Sequence, residues 1–429
     1  MPLKQLESRS KRDLKKMEGL ENQALAFTAS KLSELIKSRF EKQTVITNAQ
    51  QLSFARFFTD SMVLAWLYGQ KHVIDNLQSE IKLSNELVSV EFTEAIDYLK
   101  STIPMESKSY QQLEANLKLR AFTIASVVGE DAVNRVKRVY QDTLADGTSK
   151  SEAMQRIDGM LEQAGVSHSN PYWLELHYRN NMMTAYNAGR WTQVAHNDLV
   201  EYLMYSSVMD DGTTKLCKHL NQTVKLKTDP FWSQYYPPNH HKCRATVMAI
   251  STPMYESLPA SVKRHSSSVT PSALNDNPTY KAEHQFKSSV TAALERLPAS
   301  LMTKAKEHQL VPDIIKQTAK ENKGVIAFAQ TTAASKTLSK SAVNKATSKI
   351  NKPELSAAIE TTTSTAEEIW YGLHIMRSGD AVAALHFVKS LSKELYSVAR
   401  ANAFSGEVQA VSVMDKQQLS ATLEGCVKL

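Results

Sequence analysis

Cysteine is scarce in this sequence: Cys217, Cys243 and Cys426 are the whole set in 429 residues, an odd number that cannot build a disulfide framework. Reduced thiols or metal ligands are the fates left open. Glycine is sparse as well, at 13 residues, and no glycine-rich run of the kind that cradles phosphate occurs. Long hydrophobic runs are also missing. The most apolar window near the N-terminus, FFTDSMVLAWLYG, has Asp60 inside it and falls well short of the roughly 20 apolar residues that cross a bilayer. The opening MPLKQLESRSKRDLKKM carries charge with no apolar stretch behind it, so no secretory signal is expected there. A protein of the cytosol, or one assembled there, is expected, without a membrane partner.

What the sequence does have is ordinary hydrophobic content, 42%, and length enough for two or three domains. The net charge of +7 is unevenly placed. Residues 1–16 hold six Lys/Arg (Lys4, Arg9, Lys11, Arg12, Lys15 and Lys16) against two acids, and residues 256–350 hold fourteen against seven. Two basic segments therefore flank a slightly acidic body, a distribution suited to nucleic acid or to an acidic protein surface. The six N-terminal cations are the candidate DNA contacts. Solvated lysines on flexible segments are the plainer reading.

Proline is absent from Leu20 to Lys100, and apolar residues recur there at helical spacing. Phe54, Phe57, Phe58, Met62, Leu64 and Leu67 mark one amphipathic helix, and VEFTEAIDYLK reads as another. Further on, Val133, Val136, Tyr140 and Leu144 share a face that stops at Gly147. Ser149 and Glu152 then make an S-x-x-E capping box for a helix through Ala153, Ile157, Met160 and Leu161, ending near Gly165. After Pro171 a long helix carries Leu174, Tyr178, Met182, Tyr186 and Gly189, and the glycine predicts a close backbone approach. From Leu199 the pattern changes to short strands, VEYLMYSS and RATVMAIS, with a turn at Asp211-Gly212 and a loop-rich segment between them.

The expected fold class is mainly α with a small β-containing closing subdomain. A basic N-terminal tail and leading helix (residues 1–53) would open an elongated helical N-terminal half. The main domain spans 54–251, a basic Ser/Thr/Lys-rich linker with short helices spans 252–352, and a small α+β module spans 353–429. Within the linker, GVIAFAQ could be a strand.

Candidate chemistry gathers in one stretch. Cys217, His219, His240, His241 and Cys243 form C-x-H and H-H-x-C pairs about twenty residues apart, the donor types that a tetrahedral zinc site takes. Irregular spacing within the pairs leaves packed or solvent-facing side chains as the alternative. The His-His pair also raises a nuclease of the HNH type, but no Asn-x-His arrangement follows on a later helix. Asp210-Asp211-Gly212 is first of all a turn. The loop between Asp229 and Arg244 has a structural reading: Phe231, Trp232, Tyr235 and Tyr236 can bury large area, Pro237-Pro238 stiffens the backbone, and Arg244 can pair with Asp210 or Asp229. In the last segment His374, His386, Lys389 and Arg400 are polar residues expected on helix surfaces.

Taken in order, YRNNMMTAYNAGR, DDGTTKLCKHLNQ and DPFWSQYYPPNHHKCRA resemble the phage head-morphogenesis family, the minor head proteins of Mu-like and related tailed phages. The resemblance covers about Phe54 to Ser251. It implies a C-x-x-C pair facing an H-x-x-C pair, onto which Cys217, His240 and Cys243 map, while Thr214 stands at the first cysteine position and Ala245 where C-R-C is common. A zinc set is then one ligand short unless His219 or His241 substitutes. The resemblance also implies a structural, non-enzymatic virion component of the head, at the portal vertex, with portal protein, major capsid or scaffold protein and packaged DNA as partners. The rival expectation is a head-anchored nuclease or toxin-like effector in residues 353–429.

Overall fold

A computed structural model describes residues 3–42, 48–77, 100, 107–167, 169–195, 197–198, 200–286 and 289–429. The chain divides into two compact units, Met1–Met105 with Val128–Leu294, and Glu106–Val127 with Glu295–Leu429. Among the described residues no helix is long and apolar enough to cross a membrane. Residues 90–99 of the helix expected at VEFTEAIDYLK lie outside the described set.

The first unit begins with two long helices, α1 (Leu3–Lys42) and α2 (Asn48–Leu77). The segment that charge counting marks as a tail is therefore the start of α1. Its physical reason is a sparse apolar stripe: Leu6, Leu14 and Met17 fall on one face and are buried, while Lys4, Lys11, Arg12, Lys15 and Lys16 stay exposed on the other and Arg9 is half-buried. Leu6 packs into a core with Met204, Val224, Met248 and Ile250.

The helix α3 (Ser107–Ala145) gives its later residues to this unit. It is followed at Gly147 (φ +85°) by α4 (Lys150–Gln155) and α5 (Ile157–Gln163). The capping box forms as expected: Ser149 Oγ accepts from the Glu152 amide at 3.2 Å, and the Glu152 carboxylate accepts from the Ser149 amide at 3.1 Å. Ala153, Ile157, Met160 and Leu161 are buried, and Gly165 (φ +69°) ends the run.

Next come α6 (Tyr172–Ala195), β1 (Tyr202–Ser207), α7 (Lys215–Leu220), β2 (Val224–Leu226), α8 (Phe231–Tyr235) and β3 (Ala245–Ile250). The strands pair antiparallel in the order β2-β1-β3, with Tyr202 opposite Ile250 and Ser207 opposite Ala245. The loop-rich segment thus contains two short helices, α7 and α8. The expected apolar face of α2 is buried at Phe54, Phe58, Met62, Leu64 and Leu67.

Helices α2 and α6 cross with their backbones in contact. A Cβ on Gly189 would overlap the Trp66 carbonyl, and a Cβ on Gly69 the Tyr186 carbonyl. Each glycine makes room for the other helix, which is the close approach that Gly189 predicted.

Residues 252–350 are helical nearly throughout, beginning with Thr252–Glu256, Ala260–Ser268, Pro271–Asp276 and Pro278–Glu283 in the first unit. The Ser, Thr, Asn and Pro content that reads as linker is largely helix punctuation. Thr270 caps Ala273 N, Asn277 caps Thr279 N and Tyr280 N, Ser339 caps Ala342 N, and Pro271 and Pro278 open their helices.

The second unit holds Val311–Glu321, Lys323–Ala334 and Lys340–Ile350 among its helices. GVIAFAQ lies inside Lys323–Ala334, where Ile326, Ala329 and Ala333 are buried at steps of three and four, so it is helix and not strand. The C-terminal strands β4 (Glu368–Ile375), β5 (Ala381–Ser390), β6 (Leu395–Asn402), β7 (Val408–Asp415) and β8 (Val427–Lys428) form one antiparallel sheet in the order β7-β6-β5-β4-β8. Tyr371, Leu385, Phe387, Ala399 and Ala401 fill its core face. His374, His386, Lys389 and Arg400, expected on helices, stand on strands β4, β5, β5 and β6: their alternating neighbours carry a two-residue period.

Replacing Gly189 by Ala should destabilise the protein by about 1–3 kcal/mol through overpacking against Trp66. Urea unfolding of the variant beside an exposed Ala control measures it, and an unchanged midpoint would contradict the backbone contact.

Candidate functional site

Helix α6 holds the edge strand β3 of the first unit's sheet through side-chain hydrogen bonds. Asn187 and Arg190, three residues apart and so on one face of α6, point polar groups at β3. Asn187 Nδ2 donates to the Ala245 carbonyl at 3.1 Å, and its Oδ1 accepts from Thr246 Oγ1 at 2.8 Å. Arg190 Nε donates to the Val247 carbonyl at 2.9 Å and Nη1 to Tyr186 Oη at 3.1 Å. Arg190 is fully buried, and its counter-charge is Asp13 of α1 at 3.7 Å. Burial raises the Asp13 pKa despite that partner, and Asn76 Nδ2 donates to the same carboxylate at 3.2 Å. His72 of α2 closes the network through Tyr186 Oη at 3.0 Å, and burial drives the His72 pKa far down, so its ring is neutral.

The aromatic loop is fixed to the same scaffold. Asp229 Oδ1 accepts from the Phe231 amide at 2.8 Å and starts α8. Trp232 Nε1 donates to the Leu226 carbonyl at 2.9 Å, and Tyr236 Oη to the Asn187 carbonyl at 3.2 Å. Phe231, Trp232, Tyr235 and Tyr236 are all buried, and the Pro237-Pro238 peptide is cis. Arg244 pairs with Asp210 through two bonds of 2.7 and 2.6 Å, and that contact holds the Asp210 pKa down at about 2. Asp229 is not its partner.

Within this frame the structure brings together Cys217, His240 and Cys243, all buried, with their ligand atoms within 4.8 Å of one another. Thr214 caps α7 and so turns Cys217 inward, while the 239–243 turn returns His240 and Cys243. Cys217 Sγ lies 3.8 Å from Cys243 Sγ and 3.1 Å from His240 Nε2. A tetrahedral ion with metal–sulfur bonds of about 2.3 Å has a sulfur–sulfur edge of about 3.8 Å and a sulfur–nitrogen edge of about 3.6 Å. The first matches, and the second asks the histidine to move by about half an ångström.

His240 Nδ1 donates to the His241 carbonyl at 2.8 Å, which leaves Nε2 as the lone-pair nitrogen toward the sulfurs, the arrangement usual for a ligating histidine. A hydrogen bond from the free Cys217 thiol lowers the Cys243 pKa ahead of the opposing effect of burial, so Cys243 is the readier thiolate. These three side chains could hold a metal ion.

His219 and His241 lie outside the group. His219 stacks on Tyr280 at 4.8 Å, and His241 Nδ1 meets Asn180 Nδ2 at 2.8 Å. At the remaining side stand two hydroxyls: Thr214 Oγ1 is 3.1 Å from His240 Nε2, and Tyr205 Oη is 3.3 Å from Cys217 Sγ. Asn239 Nδ2 donates to Tyr205 Oη at 2.9 Å and so orients it. Asn187, Arg190, Tyr205 and Asn239 escaped the sequence reading as functional positions. The available signal was Asn187 and Arg190 as polar residues at helical spacing on an otherwise apolar face.

Comparison with known proteins converges on this part of the chain. Residues 134–248 match the family described as Phage Mu protein F like protein. The Mu-like prophage FluMu F protein of Haemophilus influenzae is 30% identical over 155 residues, 33% of this chain and 37% of that protein. Protein F of Escherichia phage Mu, named for capsid assembly, is 30% identical over 159 residues, 33% of this chain and 36% of its own. The matched stretch thus spans little more than a third of either relative. No solved structure matches. The resemblance drawn from the three motifs is borne out: this segment of the chain is Mu F-like.

Elemental analysis of the purified chain should find one metal ion per chain, lost in Cys243→Ser and His240→Ala but kept in His219→Ala and His241→Ala. Metal content unchanged in Cys243→Ser would remove the three-residue site.

Proposed function

We propose that the protein is a structural minor head protein of a tailed phage, acting in head morphogenesis at the portal vertex and in packaging or ejection of DNA. The observation that carries this reading is the use made of the family motifs. Asn187, Gly189 and Arg190 of the helix motif, Asp210 of the turn and Asp229, Trp232 and Arg244 of the loop each engage neighbouring protein groups. Residues spent on holding one another suit an assembly component better than a catalyst. The name borne by the phage Mu relative supports the same role.

Zinc is the metal this reading assigns to Cys217, His240 and Cys243, since two thiolates and an imidazole suit a borderline-soft ion. An ion held by these three buried side chains would tie α7 to the 239–243 turn and stiffen the segment. Portal protein and major capsid or scaffold protein are the proposed partners.

DNA contact is assigned to α1. Lys4, Lys11, Arg12 and Lys15 line one shallow depression with Glu7 and Ser8. Because the opposite stripe of α1 is packed in the core, these cations are presented on a fixed helix.

Phage lacking the protein should produce heads deficient in infectivity or in stable DNA content; normal, fully infectious particles would refute the role. Lys11→Ala/Arg12→Ala should lower the slope of log affinity for duplex DNA against log salt by about 1.8, two phosphate contacts at about 0.9 each. An unaltered slope would move the DNA contact away from α1.

A further inference from the structure

The C-terminal sheet carries a cluster of Arg400, His374 and His386 with no acidic partner among the described residues. His386 and Arg400 are directly opposed across β5 and β6, and His374 opposes Val382, two pairs along β5 on the same face. Arg400 Nη1 lies 2.7 Å from His374 Nδ1. A guanidinium can only donate, so His374 Nδ1 accepts and the ring proton sits on Nε2 as a further donor. Two buried nitrogens in the cluster, His386 Nε2 and Arg400 Nε, have no hydrogen-bond partner, and His386 is only 4% exposed.

Buried polar nitrogens left unpaired are costly, and natural structures keep few of them; Arg190 Nη2 of the first unit is another, but there an acid stands beside the guanidinium. Arg400 forms no ion pair among the described residues. The carboxylate on the same face, Glu368, is taken by Lys428 and by Trp370 Nε1 at 2.9 Å. Lys389, one residue along the two-residue period, is on the other face and donates to Ala358 O and Thr361 Oγ1. Burial first, then Arg400 and His374, pushes the His386 pKa down to about 4, so its ring is neutral and the charge of the cluster is that of Arg400. His374 and Arg400 are both half-buried, so the cluster can be reached from solvent.

We propose that this face of the C-terminal sheet binds an oxyanion of the phosphate class, with Arg400 supplying the charge, His374 a second donor and His386 the buried floor. Phosphate suits it because a guanidinium and two imidazoles share one face of three adjacent strands, and a tetrahedral anion can accept from more than one of them. The ligand is either a free phosphate or a phosphodiester of a nucleic acid strand.

The test is calorimetric titration of the full chain with inorganic phosphate, and separately with a short single-stranded oligonucleotide lacking terminal phosphates, at fixed ionic strength. Phosphate should bind, Arg400→Gln and His374→Ala should each weaken it about tenfold, and Arg400→Lys should restore part of the loss. Oligonucleotide binding that falls in the same variants assigns the site to a phosphodiester; phosphate binding without it assigns a free phosphate. If Arg400→Gln does not fold, His374→Ala decides alone, since its half-exposed ring is outside the core. Equal phosphate affinity in wild type and His374→Ala, or no binding by wild type, would overturn the site.

Discussion

The buried guanidinium of Arg190 is the contact on which the Mu F-like segment turns. It is fully enclosed, yet it reaches α1 through Asp13, α2 through Tyr186 and His72, and β3 through the Val247 carbonyl. A charge this deep is tolerated only with a counter-charge and directional hydrogen bonds, so every element that touches it is fixed in position by it. Arginine's planar fork makes that possible where a point charge would not. The same helix face carries Asn187, whose amide satisfies the backbone at Ala245 and the Thr246 hydroxyl. Between them the two residues hold β3 against α6.

Close helix packing makes that geometry available. Gly69 and Gly189 let α2 and α6 touch backbone to backbone, which brings Tyr186 and Arg190 into reach of His72. From β3 the constraint passes to the loop: Arg244 follows Cys243 into the strand and is locked to Asp210, while Tyr236 is anchored on the Asn187 carbonyl. The cysteine–histidine group is therefore the last member of a chain of contacts that begins on α6. A metal there would close a loop already shaped by hydrogen bonds and aromatic packing.

The two units pose contrasting electrostatic problems. In the first, the buried guanidinium of Arg190 has an acid beside it, Asp13, even though its Nη2 is unpaired. In the second, the Arg400 guanidinium has imidazoles for neighbours and no acid among the described residues, and two nitrogens of the cluster are unpaired. Matched charge holds a fold together, while unmatched charge at a reachable face is suited to a ligand.

Much of this was legible in sequence. Gly147, the Ser149–Glu152 box and the strands around Met204 and Val247 announce themselves by local rules, because caps, turns and strand alternation depend on neighbours a few residues away. The Cys217, His240 and Cys243 donors were visible as types, and Arg244 as a partner for Asp210. Tertiary structure alone decided that His219 and His241 stand apart from the sulfurs, since two residues can share a loop and face opposite ways. It also decided that the basic opening of the chain is a helix docked on a sheet, because Leu6, Leu14 and Met17 have meaning only once Met204 and Met248 are beside them. The grouping of His374, His386 and Arg400 is of the same kind: three strands brought them to one face, and no spacing along the chain records it.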